Sequence, residues 1–234
     1  MIQKIPAENR HHAEAGWLST YHLFSFADYY DSENMNFGAL RVFNDDTIDA
    51  QSGFGAHSHE NMEIITIVLE GELTHKDSMG NVGTIGAGEV QYMSAGTGVT
   101  HAEMNTSDSS VHLYQIWIAS KEKNLTPLYM QKDFNDTSNR NILLPVVSDK
   151  ETGDAIMVRT DANIYTSTLE AAETLSYAVG ENRGAFIYIE NGSLDVNGIE
   201  TSVGDQLRVE GEESLSIYAT DDARFILIDV PLSW

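Results

Sequence analysis

The chain contains no cysteine, which excludes disulfides, thiolate nucleophiles, cysteine zinc fingers and iron–sulfur clusters. Any metal it holds must use nitrogen or oxygen donors. Basic residues are scarce: 13 Lys and Arg stand against 36 Asp and Glu, a formal charge of -23. The acids are spread along the chain, so its field repels nucleic-acid phosphates and anionic membranes, and neither is an expected direct partner. No apolar run approaches the roughly 18 residues that cross a bilayer. The opening MIQKIPAENRHH lacks the apolar stretch of a secretory signal. The expectation is a soluble, cytoplasmic protein.

What the sequence does contain is β pattern. IITIVLEG, LYQIWIAS, AFIYIENGS, SLDVNGIETS and RFILIDVP are short runs rich in Val, Ile, Tyr, Phe and Thr, punctuated by Gly, Asn and Asp. Asn197-Gly198 sits between two alternating runs, and a type I′ turn needs positive φ at both central residues, so it predicts a hairpin. The best helical stretch, Thr168 to Thr174, is flanked by β-prone residues and is not assigned to a helix. The fold class that follows is all-β.

A faint repeat organises the runs. VLEGEL (68–73) and TIGAGEVQYM (84–93) recur as IENGSL (189–194) and TSVGDQLRV (201–209), which predicts two tandem β-barrels of similar topology. Between them, residues 120–146 are polar, carry two of the four prolines and read as an irregular linker. The chain is divided accordingly into residues 1–130 and 131–234.

All eight histidines, at 11, 12, 22, 57, 59, 75, 101 and 112, lie in the first half. His57 with His59 and His101 with Glu103 form two pairs, and residues two apart in a strand share a face. Two such strands would bring three imidazoles and a carboxylate together, donors that suit Fe, Mn, Ni, Cu or Zn better than Mg or Ca. Glu63 competes as fourth ligand because it has the parity of His57 and His59, although Glu60-Asn61 breaks the strand between them. Its alternative role is a carboxylate that orients an imidazole through the free ring nitrogen. His75, before the turn KDSMGN, and His112, which opens HLYQIWI, read as structural hydrogen-bond donors. His11, His12 and His22 are left without a role.

GFGAHSHENMEIITIVLEG and YMSAGTGVTHAEMN resemble the two metal-binding motifs of the cupin superfamily in the form found in pirins. HLFSFADYYDSENMNFGALRVFNDD, LEGELTHKDSMGN and HLYQIWI are similar to further pirin segments, most closely in the bacterial quercetinase-like branch. The resemblance implies a bicupin, two tandem jelly-roll β-barrels, with an N-terminal metal-binding domain and a C-terminal domain without metal ligands. It carries the metal ligands onto His57, His59, His101 and Glu103, and favours Glu103 over Glu63. Where the general cupin pattern has a proline, this chain has Gly96. Aligning the repeats puts Ala178, Gly180, Ile217 and Ala219 at the ligand places of the second barrel.

The activity the resemblance implies is dioxygenolytic cleavage of a flavonol, quercetin 2,3-dioxygenase type, with release of carbon monoxide and Glu103 as base. The implied cofactor is one divalent transition metal, Fe(II) first, with Mn, Ni, Cu, Co and Zn as alternatives. Two other readings stand beside it. One is a non-catalytic, iron-binding redox-sensitive regulator acting through a protein partner, and the other a cupin isomerase that needs no oxygen. A monomer is expected.

Overall fold

The computed structural model describes residues 1–135 and 138–233. Its strands form two units of one plan, a seven-stranded sheet facing a four-stranded sheet, and the all-β expectation holds.

In the first unit the large sheet runs β12 (Leu128–Asp133), β9 (Glu89–Ser94), β6 (Met62–Glu70), β11 (Val111–Ala119), β4 (Leu40–Ile48), β3 (Leu18–His22), β2 (His11–Glu14). The small sheet facing it runs β5 (Ser52–His59), β10 (Val99–Asn105), β7 (Glu72–Asp77), β8 (Val82–Gly86). The second unit's large sheet is β1 (Ile2–Ile5), β20 (Gln206–Glu210), β17 (Arg183–Asn191), β22 (Ala223–Pro231), β15 (Asn163–Leu169), β13 (Leu144–Ser148), β14 (Ile156–Met157). Its small sheet is β16 (Thr174–Ala178), β21 (Ser214–Ala219), β18 (Ser193–Val196), β19 (Ile199–Ser202).

Asn197 and Gly198 join β18 to β19 with φ of 50° and 84°, the double positive pair that a type I′ hairpin demands. Thr168 to Thr174 closes β15, turns and opens β16. Among the described residues no helix is long and apolar enough to cross a membrane.

Two edge strands were not foreseen. The stretch read as an irregular linker contains β12, which pairs along β9 and extends the first sheet across residue 130. The first residues of the chain form β1, which crosses to the second unit and pairs with β20. Each large sheet thus has an edge closed by a strand whose own sequence is only partly apolar, because an edge strand buries one side and leaves Lys4 or Lys132 in contact with solvent.

The two large sheets pack back to back. Phe24, Phe43, Tyr92 and Tyr114 of the first meet Phe186 and Ile228 of the second in one buried cluster. Strand β6 is therefore covered on both faces, which explains the mostly apolar run behind His57 and His59. Ile65 and Ile67 point to the other unit, whereas Ile64 and Val68 belong to separate clusters inside the first barrel. Inside the second barrel one continuous cluster, including Ile187, Leu194, Leu207 and Leu215, fills the space. The first barrel instead has two small clusters, one around Ile48 and Leu73, the other around Ile64, Met93 and Val99. Polar and histidine side chains stand between them.

Candidate metal centre

Strand β5 carries His57 and His59 on one face, and β10 lies antiparallel beside it with His101 opposite His57. The glycine-rich stretch before β10 sets this register: Gly96 takes φ +47°, and an added Cβ there would stand 1.9 Å from the Leu125 carbonyl oxygen. Proline, fixed near -65°, cannot occupy that position, which accounts for the departure from the cupin pattern.

The ring centroids of His57 and His101 are 4.4 Å apart, and the candidate ligand atoms of His57, His59 and His101 all lie within 4.8 Å of one another. Nδ1 of His57 bonds the Gly55 carbonyl at 2.8 Å, leaving Nε2 for the cluster. His101 is buried, and among the described residues neither of its ring nitrogens has a hydrogen-bond partner. Burial, reinforced by the neighbouring imidazoles, lowers His59 to about 4 and His101 to about 3. Both are neutral near pH 7, with lone pairs free for a metal. A buried histidine with two unsatisfied nitrogens is costly in an apolar setting, and a metal ion beside His57 and His59 would satisfy one of them. The donor set fits a transition metal.

Glu103 joins the cluster from one side. A bulge separates it from His101 in the pairing with β5, and it groups with His101 and His75 rather than with all three other histidines. Gln115 donates to its Oε2 at 3.0 Å, while the Thr66 hydroxyl and Gln91 amide stand at 3.5 Å from Oε1. These residues come from β6, β9 and β11, so the large sheet supplies the support for a carboxylate borne by the small one.

Glu63 has a different place. The turn at Glu60-Asn61, with Asn61 at φ 50°, resets the parity. Glu63 therefore points to the interface between units, where it accepts from Tyr92 at 2.5 Å, Ser120 at 2.5 Å and Ser94 at 3.2 Å. It is neither positioned as a ligand nor bonded to an imidazole. His112 donates to Asp45 at 2.6 Å, the structural bond read from sequence. His75 bonds Asp77 at 3.1 Å, yet its Nδ1 is buried and unpartnered beside His101 and Glu103, so it is more than a peripheral donor.

The second barrel is registered differently from the repeat alignment. Ala178 stands opposite Ser214 and Ile217 opposite Leu175, so the residues aligned with His57 and His101 are not register partners as those histidines are. Ile217 and Ala219 are fully buried and have no donor atom for a metal.

Beside the histidines lies a cavity of about 400 Å³ walled by Trp17, Phe26, Phe54, Ile64 and Trp117. Asn44, Asp46 and Gln115 also line it. Sequence reading passed over these three, although each is a polar residue interrupting a strand of Val, Phe, Ile and Trp.

The family model described as Pirin matches residues 6–118, and that described as Quercetinase C-terminal cupin domain matches residues 145–230. A quercetin 2,3-dioxygenase of Escherichia coli O157:H7 is 42% identical over 232 residues, 99% of each chain. A pirin-like protein of Caulobacter vibrioides is 41% identical, covering 98% of this chain and 99% of its own. Among solved structures, the bacterial pirin YhhW of Escherichia coli in complex with nickel(II) has a TM-score of 0.94 at 41% identity, with 99% of both chains covered.

Proposed function

The chain belongs to the pirin family, and from that premise we propose that it is a metal-dependent dioxygenase that cleaves a flavonol with dioxygen and releases carbon monoxide. The observation that carries this reading is the partnerless His101 beside His57 and His59, at the edge of a cavity walled by aromatic rings. A metal site alone serves a non-catalytic regulator equally well. A 400 Å³ aromatic cavity opening on that site is what a small planar substrate requires, and it sets the enzyme reading ahead.

His57, His59 and His101 hold the metal, and Glu103 completes or flanks the set. When bound, a divalent transition ion supplies Lewis acidity and a redox couple for the reaction with dioxygen. Fe(II) is the expected occupant, and the nickel(II) complex of YhhW supports nickel as an alternative. Glu103 accepts the proton of the substrate hydroxyl nearest the histidines, through Oε1, whose contacts at 3.5 Å are the weaker ones. Gln115 fixes the other oxygen of Glu103 and so aims the carboxylate. Trp17, Phe26, Phe54 and Trp117 confine the aromatic rings and keep water from the reacting bonds.

The test is flavonol loss and carbon monoxide release, with and without oxygen, after reconstitution with Fe(II), Mn(II), Ni(II) or Cu(II). Oxygen-dependent turnover that vanishes in His57→Ala is expected. One equivalent of bound metal without turnover for any of the four would overturn the enzyme reading and transfer the site to an iron-dependent regulator. Full turnover by Glu103→Gln at normal metal loading would remove Glu103 as base.

A further inference from the structure

Asp46 is 3% exposed and lines the cavity, and among the described residues its buried Oδ1 has no hydrogen-bond partner. The Thr20 hydroxyl, on the register partner of Asp46, is the protein donor beside the carboxylate and holds its pKa down, and it has no other partner among the described residues. Its neighbour two residues back, Asn44, shares the face and the cavity, and Oδ1 of Asn44 is likewise buried without a partner. A buried carboxylate oxygen and a buried amide oxygen left unpaired are destabilising, and a fold retains such a pair where a ligand supplies the missing donors. Burial, with the charges of Asp45 and Glu103 adding to it, pushes the Asp46 carboxyl up to about 7.

The opposite polarity stands at the other end. Trp117 packs on His59 with ring centroids 4.7 Å apart, and its indole N–H is buried with no acceptor. Asp46 is the register partner of Leu113, and Trp117 lies four residues further along the same strand. That separation is roughly 13 Å at strand rise. The cavity therefore presents an unpaired donor beside the histidines and unpaired acceptors at its far end. Among the described residues no Lys or Arg lines it, and Asp46 and Glu103 do. A carboxylate or phosphate group on a ligand would meet negative charge without compensation.

We propose that Asp46 and Asn44 are specificity-determining residues that receive the hydroxyl protons of an uncharged, polyhydroxylated aromatic ring, whose keto-bearing end lies at Trp117 and the histidines. This rests on the reading of the cavity as the substrate pocket and names the substrate class within it. An ortho-dihydroxy ring offers two donors at one edge, one for each orphaned acceptor. Ligands lacking those hydroxyls leave both acceptors unpaired and bind more weakly.

The experiment is equilibrium dialysis of the full-length, nickel(II)-loaded protein under nitrogen, so that no turnover occurs. The probes are quercetin and galangin, the flavonol that lacks quercetin's two catechol hydroxyls. The wild-type protein is expected to bind quercetin about tenfold more tightly, the ratio that one charge-assisted hydrogen bond gives. In Asp46→Leu the ratio should fall to within about twofold through loss of quercetin affinity alone. Should Asp46→Leu fail to fold, Asn44→Ala is the second variant, and its ratio should fall by about threefold. Equal wild-type affinities, or an unchanged ratio in the variant that folds, overturns this proposal and leaves the flavonol reading intact. Binding of neither probe overturns both.

Discussion

His57 and His101 face each other as register partners on adjacent antiparallel strands, with 4.4 Å between ring centroids and both nitrogens of His101 unsatisfied. In the metal-free protein that arrangement is a cost. His101→Leu removes it, so the metal-free variant should be more stable than the metal-free wild type by about 1 kcal/mol or more. The same change should reduce bound nickel from one equivalent to background. Denaturant unfolding and metal analysis read the two effects, and a variant that still retains an equivalent of metal would contradict the ligand role.

The two glutamates that compete on sequence should separate cleanly. Glu63 anchors Tyr92, whose hydroxyl also receives the Arg159 backbone N–H, so it ties the first unit to the second. Glu63→Ala should cost about 3 kcal/mol by leaving buried hydroxyls unpaired while metal affinity stays unchanged. Glu103→Ala should show the reverse emphasis, a loss of metal affinity with a smaller loss of stability. The comparison needs urea titrations and metal competition on both variants, and equal metal loss in both would restore Glu63 as a ligand.

Gly96→Ala should be among the most damaging glycine substitutions. Its φ is +47° and the added Cβ would collide with the Leu125 carbonyl oxygen, so a loss of at least about 2 kcal/mol is expected. Gly16 is the control: at φ +76° with open space around it, Ala there should cost only about 1 kcal/mol. Thermal unfolding of the two variants side by side tests this, and equal losses would show that the Leu125 contact does not matter.

His112 gives the stability a pH dependence of known sign. Its hydrogen bond to Asp45 raises its pKa above 6.5, against the opposing effect of burial. The folded state then binds the proton more tightly than the unfolded chain. The contribution is complete below about pH 6.5 and is lost as pH rises through the raised folded value. The stability gap between wild type and His112→Asn should therefore be wider at about pH 5.5 than at about pH 8.5. A gap that widens with rising pH would reverse the assignment.

The local pattern told much of this in advance. Asn197-Gly198 announced its hairpin, the period of the apolar runs announced strands, and the spacing of His57, His59 and His101 announced a shared site. Parity failed at Glu63, because one positive-φ residue, Asn61, turns the chain and sends the carboxylate to the other face. At Glu103 parity keeps the carboxylate beside His101, while the pairing of β10 with β7 adds a neighbour, His75, that linear spacing does not suggest.

What the sequence determined by itself is what nearest neighbours along the chain can set: strand propensity, turns, and two ligands two residues apart on one strand. What the tertiary structure alone decided is everything that depends on which strands become neighbours. Ile2–Ile5 closes a sheet by pairing with Gln206–Glu210 at the far end of the chain, Gln115 reaches Glu103 across the barrel, and Oδ1 of Asp46 ends without a partner among the described residues. Those outcomes follow from long-range pairing and burial, and a polar side chain in an apolar strand shows its purpose only when its surroundings are known.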